Sequence, residues 1–163
     1  EFSMRKGFTM IELIFVIVIL GVLASVAIPR LAATRDDAEV AKAATNLTTA
    51  VSDLTAYYTA KGKFSQSSDF SKFTNALTKE GKLNVKGGTT CVTVKVPKDG
   101  TAGATAAAST AVKLELTFKK NDAVCKQLAK LPGVMAMCGT DTEVGSGSGA
   151  CPIQIGGAGG INF

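Results

Sequence analysis

Histidine is absent from the 163 residues, and so is tryptophan. Without an imidazole the chain cannot build a Ser-His-Asp triad, a histidine metal site or an HExxH metalloprotease. Among the remaining side chains no nucleophile–base pairing and no metal-ligand constellation stands out, so the chain is not expected to be an enzyme and needs no cofactor. Only four cysteines occur, and no two of them stand in CxxC spacing, which argues against zinc and against a redox motif. The net charge of +5 is modest, the lysines are scattered, and a concentrated basic stripe flanked by aromatics is missing. Nucleic acid is therefore not an expected partner. Proline is scarce as well, and Pro29 is the only one between Phe8 and Val96.

What the chain does have is a long apolar run near its start. Leu13 to Ile28 contains no charge, and those 16 residues would span about 24 Å as a helix. With Phe8 to Glu12 added, the run reaches 21 residues and about 31 Å, close to the roughly 30 Å of a bilayer's hydrocarbon core. A secretory signal would need a small-residue cleavage site after the run, and Ala24-Ser25-Val26 and Val26-Ala27-Ile28 are poor candidates. A membrane anchor fits better, with Arg5 and Lys6 held on the cytoplasmic side. Glu12 does not suit a plain anchor, because a carboxylate at the bilayer centre costs roughly 2.5–3.5 kcal/mol. Such a group calls for an opposite charge, or else for a proton. Glu1-Phe2-Ser3, ahead of Met4, read as a cloning remnant or as part of a slightly longer native leader.

The stretch "KGFTMIELIFVIVILGVLASVAIPRL" resembles the N-terminus of type IV prepilins and of the related type II secretion pseudopilins. The resemblance rests on Gly7, Phe8, Thr9, Met10, Ile11, Glu12, Gly21 and Pro29, over about 26 contiguous residues. It implies a leader, residues 1–7, cut between Gly7 and Phe8 by a prepilin peptidase that also N-methylates Phe8. It also implies that Glu12 pairs with the N-terminal amine of a neighbouring subunit. Physically, the Phe8 ammonium is the only cation that processing would create at that depth. A pair between subunits would fix the axial stagger of packed helices, as a lone buried polar group fixes register in a coiled coil. Glu12 also lies one helical turn from Phe8, so a pair within the chain is open too. Further partners implied by resemblance are other copies in a helical filament, an inner-membrane platform protein and a cytoplasmic assembly ATPase.

The apolar pattern narrows beyond Pro29. Val40, Ala44, Leu47, Val51, Leu54 and Tyr58 recur at helical spacing, and Gly62 is a stop signal. The expected organisation is one helix from about Thr9 to Ala60: residues 8–29 for membrane or filament core, residues 30–62 as an amphipathic continuation. A globular extracytoplasmic domain follows at 63–163. Gly21 and Pro29 weaken the helix between them, so a kink or melted stretch is expected there, with Ser25 offering local compensation. After Gly62 the chain reads as α+β, with a small antiparallel sheet packed on the helix stripe in the manner of a type IV pilin. "SSDFSKFTNALTKEGK" reads as a helix capped by Ser68, and "NDAVCKQLAKL" as a short helix capped by Asn121 or Asp122. "CVTVKV", "AVKLELTFK", "GVMAMC" and "CPIQI" read as strands. "PKDGTAGATAAAST" reads as a loop, and the tail "GGAGGINF" is too glycine-rich for a regular element.

Cys91, Cys125, Cys138 and Cys151 all fall on the expected extracytoplasmic side, where two disulfides suit an oxidising compartment. Three connectivities are open, with a preference for Cys138–Cys151 and Cys91–Cys125. Asp141 and Glu143 are a weak calcium candidate, since that ion takes six to eight oxygens. The leading function is a structural subunit of a type IV pilus-type filament. The precursor would sit in the bacterial inner membrane, N-terminus cytoplasmic, and pass into an extracellular or periplasmic filament. The disulfides and the tail favour a surface pilus. The alternatives are a type II secretion or DNA-uptake pseudopilin and, from another class, a membrane-tethered binding module.

Overall fold

The computed structural model describes residues 7–64, 69–97, 112–145 and 151–156. In chain order its elements are α1 (Met10–Lys61), a 3-10 turn (Phe70–Lys72), β1 (Lys82–Val85), β2 (Thr89–Lys95), β3 (Val112–Phe118), α2 (Ala123–Lys130), α3 (Pro132–Met137) and β4 (Cys151–Gly156). The four strands form one antiparallel sheet in the order β1-β2-β3-β4. A long N-terminal helix followed by a small antiparallel sheet is the α+β architecture expected from the sequence. The chain divides into two compact units, Glu1–Asp37 and Ala38–Phe163. The expected loop over 97–110 falls almost wholly outside the described residues, as do the tail beyond Gly156, Ser68, Arg5 and Lys6.

In the second unit α1 buries Val40, Ala43, Leu47, Ala50 and Leu54 at alternating spacings of three and four. The expected stripe was centred one position away: Ala44, Val51 and Tyr58 are only half-buried at its flank. Alanines carry little weight in a hydropathy pattern, yet Ala43 and Ala50 are both buried. The same apolar cluster takes in Leu83 and Val85 of β1, Val92 and Val94 of β2, and Leu114, Leu116 and Phe118 of β3. Strand β3 alternates strictly, with Lys113 and Glu115 facing outward. A bulge lies opposite the Leu83/Asn84 step, where Leu83 pairs with Val92 but Asn84 pairs with Thr90. It allows the consecutive residues Cys91 and Val92 both to be buried, and so turns Cys91 toward α2.

The segment 69–81 is not the helix expected of it. Phe70, Phe73 and Leu77 are buried as that reading requires, but they hang from an irregular loop with a single 3-10 turn. Local side-chain bonds outcompete the helical ladder. Asp69 accepts from the Ser71 amide at 3.0 Å, the Thr74 hydroxyl accepts from the Ala76 amide at 3.1 Å, and the Thr78 hydroxyl accepts from the Lys82 amide at 3.2 Å. The Phe70 amide bonds the Lys79 carbonyl at 2.9 Å and closes the loop. Thr74 is also anchored to α1, where its hydroxyl donates to Asp53 at 2.7 Å. Phe70 and Phe73 join Phe64, Tyr57 and Tyr58 in a chain of rings with neighbouring centroids 4.7–5.9 Å apart, which fastens the end of α1 to this loop.

"GVMAMC" is likewise corrected, from strand to helix α3. Pro132 stands at its first position, where the missing N–H costs nothing. Its end is a Schellman motif: the Gly139 amide bonds Ala136 O, the Thr140 amide bonds Met135 O, and Gly139 takes φ +67. Helix α2 forms as expected, with Asp122 as its cap, accepting from the Val124 amide at 2.9 Å. Strand β1 was not anticipated, because four residues with two apolar side chains fall below the length at which alternation becomes a signal.

Two glycines with similar backbones give contrasting predictions. Gly81 takes φ +74, and a Cβ there would lie 2.7 Å from the Phe70 ring and 2.9 Å from the Val94 carbonyl. Gly62, which ends α1, takes φ +72 with nothing within 4 Å of its Cβ position. Gly62→Ala should cost about 1 kcal/mol from the left-handed backbone alone. Gly81→Ala should cost about 2–4 kcal/mol, because overpacking is added to it. Thermal melts of the two variants in detergent check the difference.

Candidate functional site

In the first unit, Gly7, Phe8 and Thr9 are non-helical and exposed, and α1 begins at Met10. Every large apolar side chain from Phe8 to Leu31 is solvent-exposed, between 46% and 90%. This part of α1 is long and apolar enough to cross a membrane, and none of that stretch is buried against the protein. A surface of this kind is stable only in lipid or against other helices.

Glu12 occupies the first turn of α1, and the structure gives it a partner that the sequence reading did not consider. The Thr9 amide donates to Glu12 Oε2 at 3.0 Å, and the Thr9 hydroxyl donates to the same oxygen at 3.0 Å. In return the Glu12 amide donates to Thr9 Oγ1 at 3.3 Å. The Thr9 carbonyl accepts the first intrahelical bond, from the Leu13 amide at 3.2 Å. This is a capping box, with Thr9 as N-cap and Glu12 three residues on. Its signal, Thr-x-x-Glu ahead of an apolar run, was readable in the sequence. The carboxylate also sits at the positive end of the helix dipole. Within the single chain, then, Glu12 is satisfied by hydrogen bonds from Thr9, one residue away from the Phe8 nitrogen.

In the single chain, helix α1 runs through Gly21 and Pro29 as one continuous element. Pro29 removes only the bond to the Ser25 carbonyl, and the ladder on both sides carries the helix across. Ser25 does not compensate that carbonyl: its hydroxyl donates to Val22 O at 2.7 Å instead.

All four cysteines are bonded, Cys91 to Cys125 and Cys138 to Cys151, in the connectivity preferred from the sequence. The first joins β2 to α2; the second joins the end of α3 to β4, not two strands. Glu143, one of the two calcium candidates, is held by lysines, with Lys120 Nζ at 3.1 Å from Oε1 and Lys130 Nζ at 3.8 Å from Oε2. Among the described residues no group of three or more potential metal ligands comes together. The hydrogen bond from Lys120 and the charge of both lysines hold the Glu143 carboxyl below its ordinary value. These ion pairs therefore help dock the loop at neutral pH and are lost as pH falls below about 4.5 and through the lower folded-state value. The protection factor of the Val144 amide, which bonds Ala129 O at 3.2 Å, that is, its exchange rate corrected for the intrinsic rate at each pH, should fall between pH 6 and pH 3 by more than that of the sheet amides.

Compared with known protein families, residues 2–28 match the prokaryotic N-terminal methylation motif, the signature of type IV pilins and pseudopilins. The match marks this segment as that of a prepilin-type precursor and covers the exposed Gly7–Phe8 step, the capping box and the apolar helix. No curated protein and no solved structure matches the chain.

Proposed function

From the prepilin-type signature as premise, we propose that the chain is a structural subunit of a type IV pilus-type filament. It waits in the inner membrane, is cut between Gly7 and Phe8, is N-methylated on Phe8, and assembles through α1. The observation that carries this reading is the conjunction at the start of α1. A non-helical, exposed Gly7–Phe8 step precedes the apolar run Met10–Ile28, whose only acid, Glu12, lies within one turn of the new amine. Lipid is as apolar as the helix, so burial alone gives helices little reason to leave it. Selective pairing of Glu12 with a neighbour's Phe8 ammonium would set the register, and the work of extraction would come from a cytoplasmic ATPase.

Intact mass of the protein recovered from cells tests the processing step. Loss of residues 1–7 together with the gain of one methyl group is expected. A retained leader on a functional monomer would overturn the proposal and favour a membrane-tethered binding module. The disulfide-braced domain favours a surface pilus over a secretion or DNA-uptake pseudopilus. Filaments visible on cells that vanish when the chain is deleted are the expected result, and loss of secretion with no visible filament would reassign the role.

A further inference from the structure

The capping box at the start of α1 fixes more than the helix. Because Thr9 is the N-cap, its backbone leaves the helical conformation there, and the peptide bond two residues earlier, Gly7–Phe8, lies outside the helix. A helical peptide bond is a poor protease substrate, since its carbonyl and amide are tied into the ladder and its flanks cannot extend into a cleft. Phe8 stands where a hydrophobic staple would fold back onto Leu13, yet its side chain is 90% exposed. The hydrogen bonds of the cap thus leave the Gly7–Phe8 bond non-helical and exposed just ahead of the helix end. The methylation motif independently assigns processing to this same stretch.

We propose that Thr9 is a positioning residue for leader removal: its hydroxyl, by capping α1 against Glu12, selects Gly7–Phe8 as the bond that is cut. The inference rests on the prepilin reading and adds to it the residue that sets the cleavage position. The reaction is a hydrolysis. Water adds to the Gly7 carbonyl carbon, the bond to the Phe8 nitrogen breaks, and a proton passes to that nitrogen, leaving a carboxylate on Gly7 and an ammonium on Phe8. Thr9 takes no part in bond making. It acts by keeping the helix from fraying past Met10 or advancing over Phe8, so that the bond is presented in one register rather than several.

The test compares the full-length precursor with Thr9→Val, Thr9→Ser and Thr9→Asn in detergent or membranes, using purified prepilin peptidase and mass spectrometry of both products. Valine matches the shape of threonine but cannot accept the Glu12 amide bond, whereas serine and asparagine are competent caps. Loss of an N-cap is worth about 1 kcal/mol, which converts to a fall of about fivefold in kcat/KM for Thr9→Val. Products cut at bonds other than Gly7–Phe8 are also expected with valine, and Thr9→Ser and Thr9→Asn should restore both rate and position. If Thr9→Val is cut at Gly7–Phe8 at the native rate, or if asparagine fails as badly as valine, the positioning role is overturned while the prepilin reading stands. If the native chain is not cut there at all, the prepilin reading itself fails.

Discussion

A Glu12→Gln chain should still be cut after Gly7, yet it should yield at least tenfold fewer filaments than the native chain. The two tasks open to Glu12 separate at this substitution. Glutamine can keep the capping box, because its carbonyl oxygen accepts from Thr9 as the carboxylate oxygen does. It cannot neutralise an ammonium. In a packed bundle of helices, an N-terminal charge left without its counter-ion costs about 3–5 kcal/mol, or more than a hundredfold in each association step. Glu12→Leu loses the carboxylate half of the capping box as well and should be impaired at both stages. The measurement is filament mass sheared from cells, set against intact mass of the membrane-held pool. Native filament yield from Glu12→Gln would mean that the acid serves the cap alone, and the inter-subunit pair would have to be given up.

The capping box also changes how the acid's presence in an apolar helix is understood. Taken alone, a carboxylate in lipid is a cost that a cationic partner or a proton would have to offset. With two hydrogen bonds from Thr9 and the helix dipole behind it, Glu12 is tolerable in a waiting subunit before any neighbour arrives. On the proposed function, assembly would be an exchange of partners. The carboxylate would trade neutral donors of its own chain for a cationic one on the next, and charge-assisted bonds are roughly twice as strong as neutral ones. Such an exchange can be selective without requiring the subunit to be unstable in the membrane.

How far the sequence reveals this molecule depends on how local the deciding interactions are. α1, β2, β3, α2 and β4 follow from periodicity and caps that are contained in each segment, and all five are found close to where the pattern puts them. The segment around Phe70 fails because three side chains each bond a nearby backbone amide, and one of them is also held from α1 by Asp53, 21 residues away. No helical period records that. α3 fails because a six-residue apolar run fits a buried strand as well as a short helix, and Pro132, which decides it, stood just outside the segment considered. At the site, Glu12 stood out as a lone acid in an apolar run, Gly7 and Phe8 entered only through the resemblance to prepilins, and Thr9 was seen only as part of that motif. Its chemistry appeared once the hydrogen bonds did.

The loss of both disulfides should be the largest single blow to the domain's stability. In the chain-entropy account the stabilisation grows with the loop that each bond closes. Cys91 and Cys125 are separated by 34 residues and Cys138 and Cys151 by 13, and the two loops do not overlap. The corresponding contributions are about 3.8 and about 3 kcal/mol, together comparable with the whole stability of an ordinary domain, about 5–15 kcal/mol. The detergent-solubilised chain should therefore show a cooperative melt that moves down by tens of degrees in reductant. The double variant Cys91→Ala/Cys125→Ala should lose more than Cys138→Ala/Cys151→Ala. The order of opening should run the other way from the order of contribution. Cys91, Cys125 and Cys151 are fully buried, whereas Cys138, at the end of α3, is partly exposed. A small thiol reductant reaches Cys138 first, so alkylation and mass analysis during graded reduction should label Cys138 and Cys151 while Cys91 and Cys125 remain paired. Simultaneous labelling of all four would mean that reduction follows global unfolding rather than local access, and the bond joining α3 to β4 would then be as well protected as the one beneath α2.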